Sequence, residues 1–175
     1  MRSYPFDWIF SNYKNIIHCI KDDFSMFLNK SYYQHVSDKQ CSHAYYGKNM
    51  FQHHNPLIYE NDYKYYVRSV DRFKGLLQSK RNKLFITINV NNDIIDVNII
   101  QNIVDFNNQF AIYTNNYILL VILHVKNKQK NHHKFTIKGN IHFLELHTIS
   151  ISDGLTFINE SDNVYLDNII KTTYA

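Results

Sequence analysis

The stretch YPFDWIFS, residues 4–11, decides how the rest of the chain is organised. It contains the only tryptophan and one of the two prolines. A helix is predicted to follow it, from Ser11 or Asn12 as the N-cap to about Asn29. The apolar side chains of this helix recur at helical spacing: Tyr13, Ile16, Ile17, Ile20, Phe24, Phe27 and Leu28. The sequence therefore begins with an aromatic segment that we expect to pack on an amphipathic helix.

The composition fits one folded domain that spans residues 1–175. An apolar content of 45% and an aromatic content of 15% exclude a disordered chain. A chain of this length buries enough surface to fold without disulfides. The net charge is +4 at pH 7, but lysines and arginines are spread along the chain. Neither nucleic acid nor a membrane is therefore expected as a partner.

The cysteines and the apolar runs bear on where the protein resides. Cys19 and Cys41 form neither a CxxC pair nor a zinc-binding spacing. We see no charged-then-apolar leader and no apolar run of the length of a membrane span. The sequence predicts a reduced, cytoplasmic protein without metal or cofactor, in the host cytoplasm if the source is a virus.

The order of the elements after residue 56 predicts an α/β fold. Helices are predicted at about 60–79, up to about 108 and at about 162–173, and strands at 84–90, 117–125 and 141–148. Strand 117–125 is apolar throughout, which is typical of a strand buried on both faces. The alternation indicates a mostly parallel, layered sheet flanked by helices. Ligand sites in such sheets lie at the carboxyl ends of the strands, which here are residues 89–92, 124–126 and 147–153.

Two segments lack a regular period and are predicted to be exposed. Residues 31–59 are rich in aromatic side chains and combine loop with short strands. Residues 126–138 hold five lysines around His132 and His133, and they are predicted to form a polar loop. One functional hypothesis is therefore a non-enzymatic interaction module that uses these two loops as its contact surfaces.

Ten histidines make imidazole chemistry the first catalytic possibility to weigh. His53 and His54 are adjacent, so on an extended segment at most one of them faces a given site. Such a histidine is either a general base, which works near neutral pH, or a loop residue without a catalytic partner. His124 and His147 end predicted strands, where each either faces a crevice or is satisfied locally.

Acidic and basic side chains near the N-terminal stretch leave alternatives open. Asp7 lies between two aromatic residues and would be costly to bury without hydrogen bonds, so it either holds a backbone turn or orients a histidine. Arg68 and Arg72 lie one helical turn apart and could pair with Asp7, bind an anionic substrate or remain at the surface. Consecutive Asp22 and Asp23 diverge on a helix, which argues against a shared metal site.

The thiols are weak candidates for a nucleophile. Cys19 lies in the middle of the first predicted helix and is expected to be a packed core thiol. Cys41 lies in the irregular segment, where we expect it to be more exposed, but nothing in the sequence orients it.

The N-terminal motifs resemble a family of papain-like cysteine peptidases of unknown function that occurs in bacteria and large DNA viruses. The resemblance rests on the PFDW box at 5–8, the DDF…FL pattern at 22–28, the histidine loop at 53–55 and a Tyr/Arg helix pattern at 65–73. Weaker similarity continues through Leu84-Phe85-Ile86 and the Asp153-Gly154 turn. It covers most of the chain and is sharp over about residues 3–90.

The resemblance implies a hydrolase-like protein that acts on a peptide or small molecule. Its implied catalytic residues are His54 or His53 as base and Asp7 as orienting acid, and its implied substrate contacts are Arg68, Arg72 and Trp8. Family members carry their nucleophile in a Ser-Leu-Gly…Cys segment before the PFDW box, and this sequence shows none after Met1. We therefore expect an N-terminally truncated, inactive member. A carbohydrate- or nucleotide-processing α/β enzyme is the other enzymatic hypothesis.

Overall fold

The computed structural model describes residues 3–7, 9 and 12–174, except the side chain of Asn49. The chain divides into two compact units, where the sequence predicts one domain. The first unit comprises Met1–Lys80 and Asn108–Asn115, and the second comprises Arg81–Asn107 and Asn116–Ala175. None of the helices described is both long enough and apolar enough to cross a membrane.

The first unit combines two helices with a small antiparallel sheet. Its elements are α1 (Tyr13–Lys21), β1 (Tyr33–Ser37), β2 (Gln40–His43), β3 (Gly47–Phe51) and α2 (Glu60–Gln78). The strands pair in the order β1-β2-β3. The prediction of α2 is confirmed, because its apolar positions recur along one face and its first turn carries Glu60 and Asp62.

Helix α1 is shorter than the apolar period predicts. It begins after Asn12, whose side chain accepts a hydrogen bond from the Asn15 amide at 2.8 Å, and it ends at Lys21 rather than near Asn29. Asp22 is its C-cap, and Asp23 and Phe24 after it have φ values of +49° and +61°, which a helix cannot contain. Phe24 and Phe27 keep helical spacing because both side chains enter the core. The spacing of apolar residues after Lys21 therefore indicates which side chains are buried, and it does not indicate a helical backbone.

Aromatic side chains form the core of the first unit. We call Phe6, Phe24, Phe27, Tyr46, Phe51, Tyr66 and Phe73 the aromatic cluster, since each ring lies within 6.4 Å of another, centroid to centroid. Phe6 of the PFDW box packs on Phe24 and Phe73, at 5.8 and 5.5 Å. The expected docking of the N-terminal segment therefore holds for Phe6. Because Tyr46 and Phe51 are buried, segment 31–59 offers fewer aromatic contact residues than the interaction-module hypothesis assumes.

The second unit is a four-stranded mixed sheet with helices. Its elements are β4 (Lys83–Asn92), α3 (Val97–Phe110, whose last three residues belong to the first unit), β5 (Tyr117–Val125), β6 (His132–Lys138), β7 (Ile141–His147) and α4 (Glu160–Tyr174). The strand order is β4-β5-β7-β6. Strands β4, β5 and β7 are parallel, and β6 runs antiparallel at the edge. The α/β class is confirmed. Among the described strands parallel pairing is confined to these three, so the predicted mostly parallel, layered sheet is not confirmed.

The predicted basic loop at residues 126–138 is wrong for its second half. Residues 132–138 form the edge strand β6, which pairs with β7 throughout its length. Its side chains are mostly exposed. An edge strand needs only one hydrogen-bonded neighbour and commonly carries lysines against further pairing. The charge pattern of β6 therefore resembles that of a loop.

Side chains of β5 and β7 alternate between two faces of the sheet. Leu120 and Ile122 of β5 join Leu144 and Leu146 of β7 in a buried cluster that includes Ile169 of α4. The intervening residues, among them Leu123 and Glu145, line a cavity on the opposite face. The same two strands thus build the α4-side core and one wall of a cavity.

Two glycines are expected to respond in opposite directions to the same substitution. Gly139 connects β6 to β7 with φ +61°, whereas Gly75 lies inside α2, and a methyl group at either position meets no atom within 4 Å. Gly139→Ala should lower the free energy of unfolding by about 1 kcal/mol, because alanine disfavours the left-handed region. Gly75→Ala should raise it by about 0.5–1 kcal/mol through helix propensity. Urea unfolding measures both changes, and a shared sign would contradict this account.

Candidate functional site

His54, the base implied by the resemblance, has a carboxylate partner on α2. Its Nδ1 lies 3.2 Å from Asp62 Oδ1, and Asp62 Oδ2 accepts the Asn55 amide hydrogen bond at 2.8 Å. The His54 ring stacks on Tyr65 with 4.8 Å between centroids. Because a carboxylate only accepts hydrogen bonds, Nδ1 carries the proton and Nε2 is the basic nitrogen. His53, its neighbour, is exposed.

Asp7 holds a backbone turn, which is the first of the two roles that its sequence position allows. Its Oδ2 accepts from the Tyr4 amide at 2.8 Å, while the Asp7 amide donates to the Tyr4 carbonyl at 3.3 Å. Asp7 is exposed, so burial costs it nothing. In the described part of the chain, these contacts of Asp7 are separate from the His54–Asp62 pair.

The three implied substrate contacts are dispersed. Arg72 donates from Nε and Nη2 to the Ser3 carbonyl, at 3.1 and 2.7 Å, and so fixes the backbone before the PFDW box. Arg68 is exposed on α2. Trp8 lies outside the described residues. The Arg72 guanidinium therefore uses its Nε and Nη2 donors within the chain, on the Ser3 carbonyl, rather than on a substrate.

Both thiols are buried, and neither environment activates them. Burial raises the pKa of Cys19 from 9.0 to about 12, although a hydrogen bond with Tyr46 opposes this rise. The Tyr46 hydroxyl also lies 2.9 Å from His18 Nδ1, so it links the two neighbouring helix residues. The expectation of an exposed Cys41 is wrong, since β2 carries it into the core with 1% exposure, and burial raises its pKa as well. Both cysteines are therefore protonated at neutral pH.

The paired aspartates serve the turn that follows α1. Asp22 Oδ2 accepts from the Met26 amide at 2.6 Å, and Asp23 forms an ion pair with Lys74 at 2.7 Å. Within residues 3–7, 9 and 12–174, no three histidine, cysteine or acidic side chains are arranged to share a metal ion.

His124 is a structural histidine at the end of β5. Its Nδ1 accepts from the Asn91 amide at 3.0 Å, and its Nε2 lies 2.7 Å from Thr148 Oγ1. The Thr148 hydroxyl donates to the Ser150 carbonyl at 2.7 Å, so it accepts the Nε2 hydrogen from His124. Burial lowers the pKa of His124. Both ring nitrogens are satisfied in the neutral form, which agrees with the structural alternative for this residue.

A cavity of about 420 Å³ lies on the other face of the sheet, near the carboxyl ends of β5 and β7. Its apolar lining comes from Ile94, Ile95, Ile100, Leu123, Val125 and Phe143. Its polar lining comes from Asp93, Lys128, Thr136, Lys138, Glu145 and His147. Val125 and His147 end their strands, and Asp93 directly follows β4. This is the edge of the sheet at which the predicted topology places ligand sites.

His147 and Glu145 form an imidazole–carboxylate pair in the wall of this cavity. They lie two residues apart on β7, on the same face, and His147 Nε2 is 2.7 Å from Glu145 Oε1. The ring of His132, opposite His147 on β6, stacks on His147 with 4.0 Å between centroids and a tilt of 13°. The ring of His147 is thus fixed by a hydrogen bond at its edge and by a second imidazole on its face.

Sequence reasoning identified some of these residues and missed others. His147 was a candidate through its position at a strand end, and Lys128 and Lys138 belonged to the basic segment. Glu145 was missed, although its spacing of two from His147 on a strand places both on one face. Asp62 was missed as the partner of His54. The sequence matches no protein-family model, no curated protein and no solved structure.

Proposed function

We propose that the second unit binds a small organic anion in the cavity at the carboxyl ends of β5 and β7. The observation that carries this proposal is the charge of two lysines. Lys128 and Lys138 line the cavity, and neither forms an ion pair with a carboxylate of the described residues. An anion beside either lysine would gain a charge-assisted hydrogen bond, which is about twice as strong as a neutral one.

The contacts of the acidic side chains in the cavity are also consistent with a negatively charged ligand. Asp93 is paired with Lys126 at 3.6 Å, and Glu145 is hydrogen-bonded to His147 at 2.7 Å. Asp93 therefore has a cationic partner, whereas no carboxylate of the described residues forms an ion pair with either lysine. A neutral His147 ring leaves Glu145 with its charge, but the two lysines outnumber this one carboxylate, so the net charge that faces a ligand is positive.

The volume of the cavity and its apolar lining favour a small, partly apolar molecule as the ligand. A volume of about 420 Å³ lies within the range of small-molecule sites, and six apolar side chains line it. Among the functions that the sequence suggests, a carbohydrate- or nucleotide-processing α/β enzyme fits best, because phosphorylated sugars and nucleotides are organic anions. We propose this class ahead of the interaction module.

Titration with propyl phosphate, followed by amide chemical shifts in NMR, tests the proposal. We expect propyl phosphate to shift the amides around Leu123, Lys128 and His147, and we expect equal concentrations of 1-propanol to leave them unchanged. In the double variant Lys128→Met/Lys138→Met, the affinity should fall about tenfold or more, since hydrogen bonds to charged groups contribute about 1.5–3 kcal/mol each. Added salt should weaken binding by screening.

A charge-matched variant provides the control for that experiment. Lys14→Met/Lys130→Met removes two charges from exposed positions that do not line the cavity. Its affinity for propyl phosphate should stay within about twofold of the wild-type value, because exposed charges outside the cavity lining are largely screened by solvent and salt. Equal losses in the two double variants, or no binding to the wild type, would overturn the proposal.

The resemblance to papain-like cysteine peptidases stays a prediction. We propose that neither cysteine of this chain acts as a nucleophile. The His54–Asp62 pair supports an acid–base function, but both thiols are buried with raised pKa values. Iodoacetamide at pH 8 should therefore label native Cys19 and Cys41 about 100-fold more slowly than the urea-unfolded chain. Rapid, stoichiometric labelling of either native cysteine would restore the peptidase hypothesis.

A further inference from the structure

We infer that the anion bound in the cavity carries a hydroxyl group, and that this hydroxyl donates a hydrogen bond to His147 Nδ1. The inference rests on the proposed anion site and adds the chemical class of its ligand, a hydroxylated organic anion. It starts from a single atom whose hydrogen-bonding capacity is not used.

The protonation of the His147 ring follows from its partner. His147 Nε2 lies 2.7 Å from Glu145 Oε1, and an ionised carboxylate can only accept a hydrogen bond. Nε2 therefore carries the hydrogen in the neutral ring, and Nδ1 presents a lone pair. What Nδ1 needs is a donor.

No donor reaches this lone pair from the described residues. His147 Nδ1 is a buried atom without a hydrogen-bond partner, and the His147 side chain as a whole is 14% exposed. Buried polar atoms in folded proteins almost always have a partner, and an unsatisfied acceptor costs about 1–3 kcal/mol. His124 shows the contrast, because both of its ring nitrogens are satisfied by the chain. Nδ1 has almost no accessible surface while the cavity is empty, so a ligand that enters beside His147 must displace the side chains around Nδ1 before it supplies the donor.

The orientation of the His147 ring is fixed before a ligand binds. Glu145 binds one edge, and His132 stacks on the face at 4.0 Å. A ligand therefore does not have to immobilise His147, which removes part of the entropic cost of binding. Amines would also donate, but Lys128 and Lys138 line the same cavity and disfavour a cationic group. A neutral hydroxyl on an anionic molecule satisfies both the lysines and the imidazole.

Paired probes that differ only in hydroxyl groups test the inference. Glycerol 3-phosphate is compared with propyl phosphate, and lactate with propionate, by NMR titration of the full chain. We expect the hydroxylated member of at least one pair to bind about 3–10-fold more tightly, which is the effect of one hydrogen bond. The phosphate and carboxylate pairs distinguish the two sources of the negative charge.

Variants assign the preference to His147. In Glu145→Gln/His147→Phe, a ring remains against His132 and no bare carboxylate is created, so the affinity ratio within each pair should fall to about 1. The ratio is read within pairs of equal charge, so a general loss of anion affinity cancels. His133→Phe is the matched control, because His133 lies on the opposite face of β6 with its Nδ1 2.7 Å from the Tyr165 hydroxyl. Its ratio should equal that of the wild type.

The outcomes separate this inference from the proposed function. If both members of each pair bind the wild type equally, the hydroxyl inference is wrong while the anion site stands. If the preference survives in the Glu145/His147 variant, the assignment to His147 is wrong. If none of the four anions binds, the proposed function itself fails.

Discussion

Replacing Phe27 by alanine is expected to lower the free energy of unfolding by about 3–5 kcal/mol, the largest change expected from any single substitution in the first unit. Phe27 has no exposed surface, and its ring contacts five other members of the aromatic cluster at centroid distances of 5.6 to 6.4 Å. Alanine would leave a void at the point where the PFDW box, α2 and the small sheet meet. Urea unfolding monitored by circular dichroism measures the change.

Two further substitutions show whether the loss comes from packing. Phe27→Leu keeps most of the volume and should cost less than half as much as alanine. Tyr45→Ala removes an aromatic ring that is 54% exposed and should change stability by less than about 1 kcal/mol. If Phe27→Ala costs no more than Tyr45→Ala, the aromatic cluster is not the core of this unit.

Asp162→Ala should lower the free energy of unfolding by about 3 kcal/mol, because it leaves three partly buried donors without their acceptor. Asp162 is fully buried at the start of α4. Its Oδ2 accepts from the Ser150 amide at 2.8 Å and from the Ser150 hydroxyl at 2.7 Å, and its Oδ1 accepts from the Asn131 amide group at 2.8 Å. Asp167→Ala on the same helix removes an exposed carboxylate that pairs with Lys171, and it should cost less than about 0.5 kcal/mol.

The same carboxylate makes stability depend on pH with a definite sign. Burial would raise the pKa of Asp162, but the hydrogen bonds from Ser150 and Asn131 outweigh burial and hold it below its ordinary value of 3.8. The unfolded chain therefore takes up the proton first as the pH falls. The contribution of Asp162 is fully present above pH 3.8 and is lost as the pH falls through the lower, folded value.

Urea unfolding at pH 7, 5, 4 and 3 measures this contribution by difference. The gap in stability between the wild type and Asp162→Asn should be constant from pH 7 to 5 and should narrow at pH 3. Other carboxylates of the chain titrate in both proteins, so they cancel in this comparison. A gap that widens on acidification would contradict the assigned direction of the shift.

The sequence predicts elements well where one force dominates. Strand β5 is predicted to the residue, because an unbroken apolar run with turns on both sides has few other ways to be buried. Helix α1 is predicted too long, because Phe24, Phe27 and Leu28 are apolar for the core and not for a helix. Strand β6 is predicted as a loop, because its lysines and histidines are exposed. Its hydrogen bonds are made with the backbone of β7, which the sequence of β6 does not reveal.

The candidate site is less predictable because it depends on which side chains meet. The pairing of His54 with Asp62 depends on how the loop enters the first turn of α2, which no motif records. The role of His147 differs from that of His124 only through the face of the sheet on which each lies. That face follows from register, and a one-residue uncertainty in register inverts it.

The alternation along β5 and β7 also limits how this chain can change in length. Deleting one residue between Leu119 and Leu123 would turn His124 toward the cavity and Leu123 toward α4, so residues of the core and of the cavity wall would exchange places. Residues 126–131 lie between strands and can gain or lose residues without that exchange. Insertions and deletions in this connection therefore leave the two faces of the sheet unchanged, whereas a single deletion in the strand inverts them.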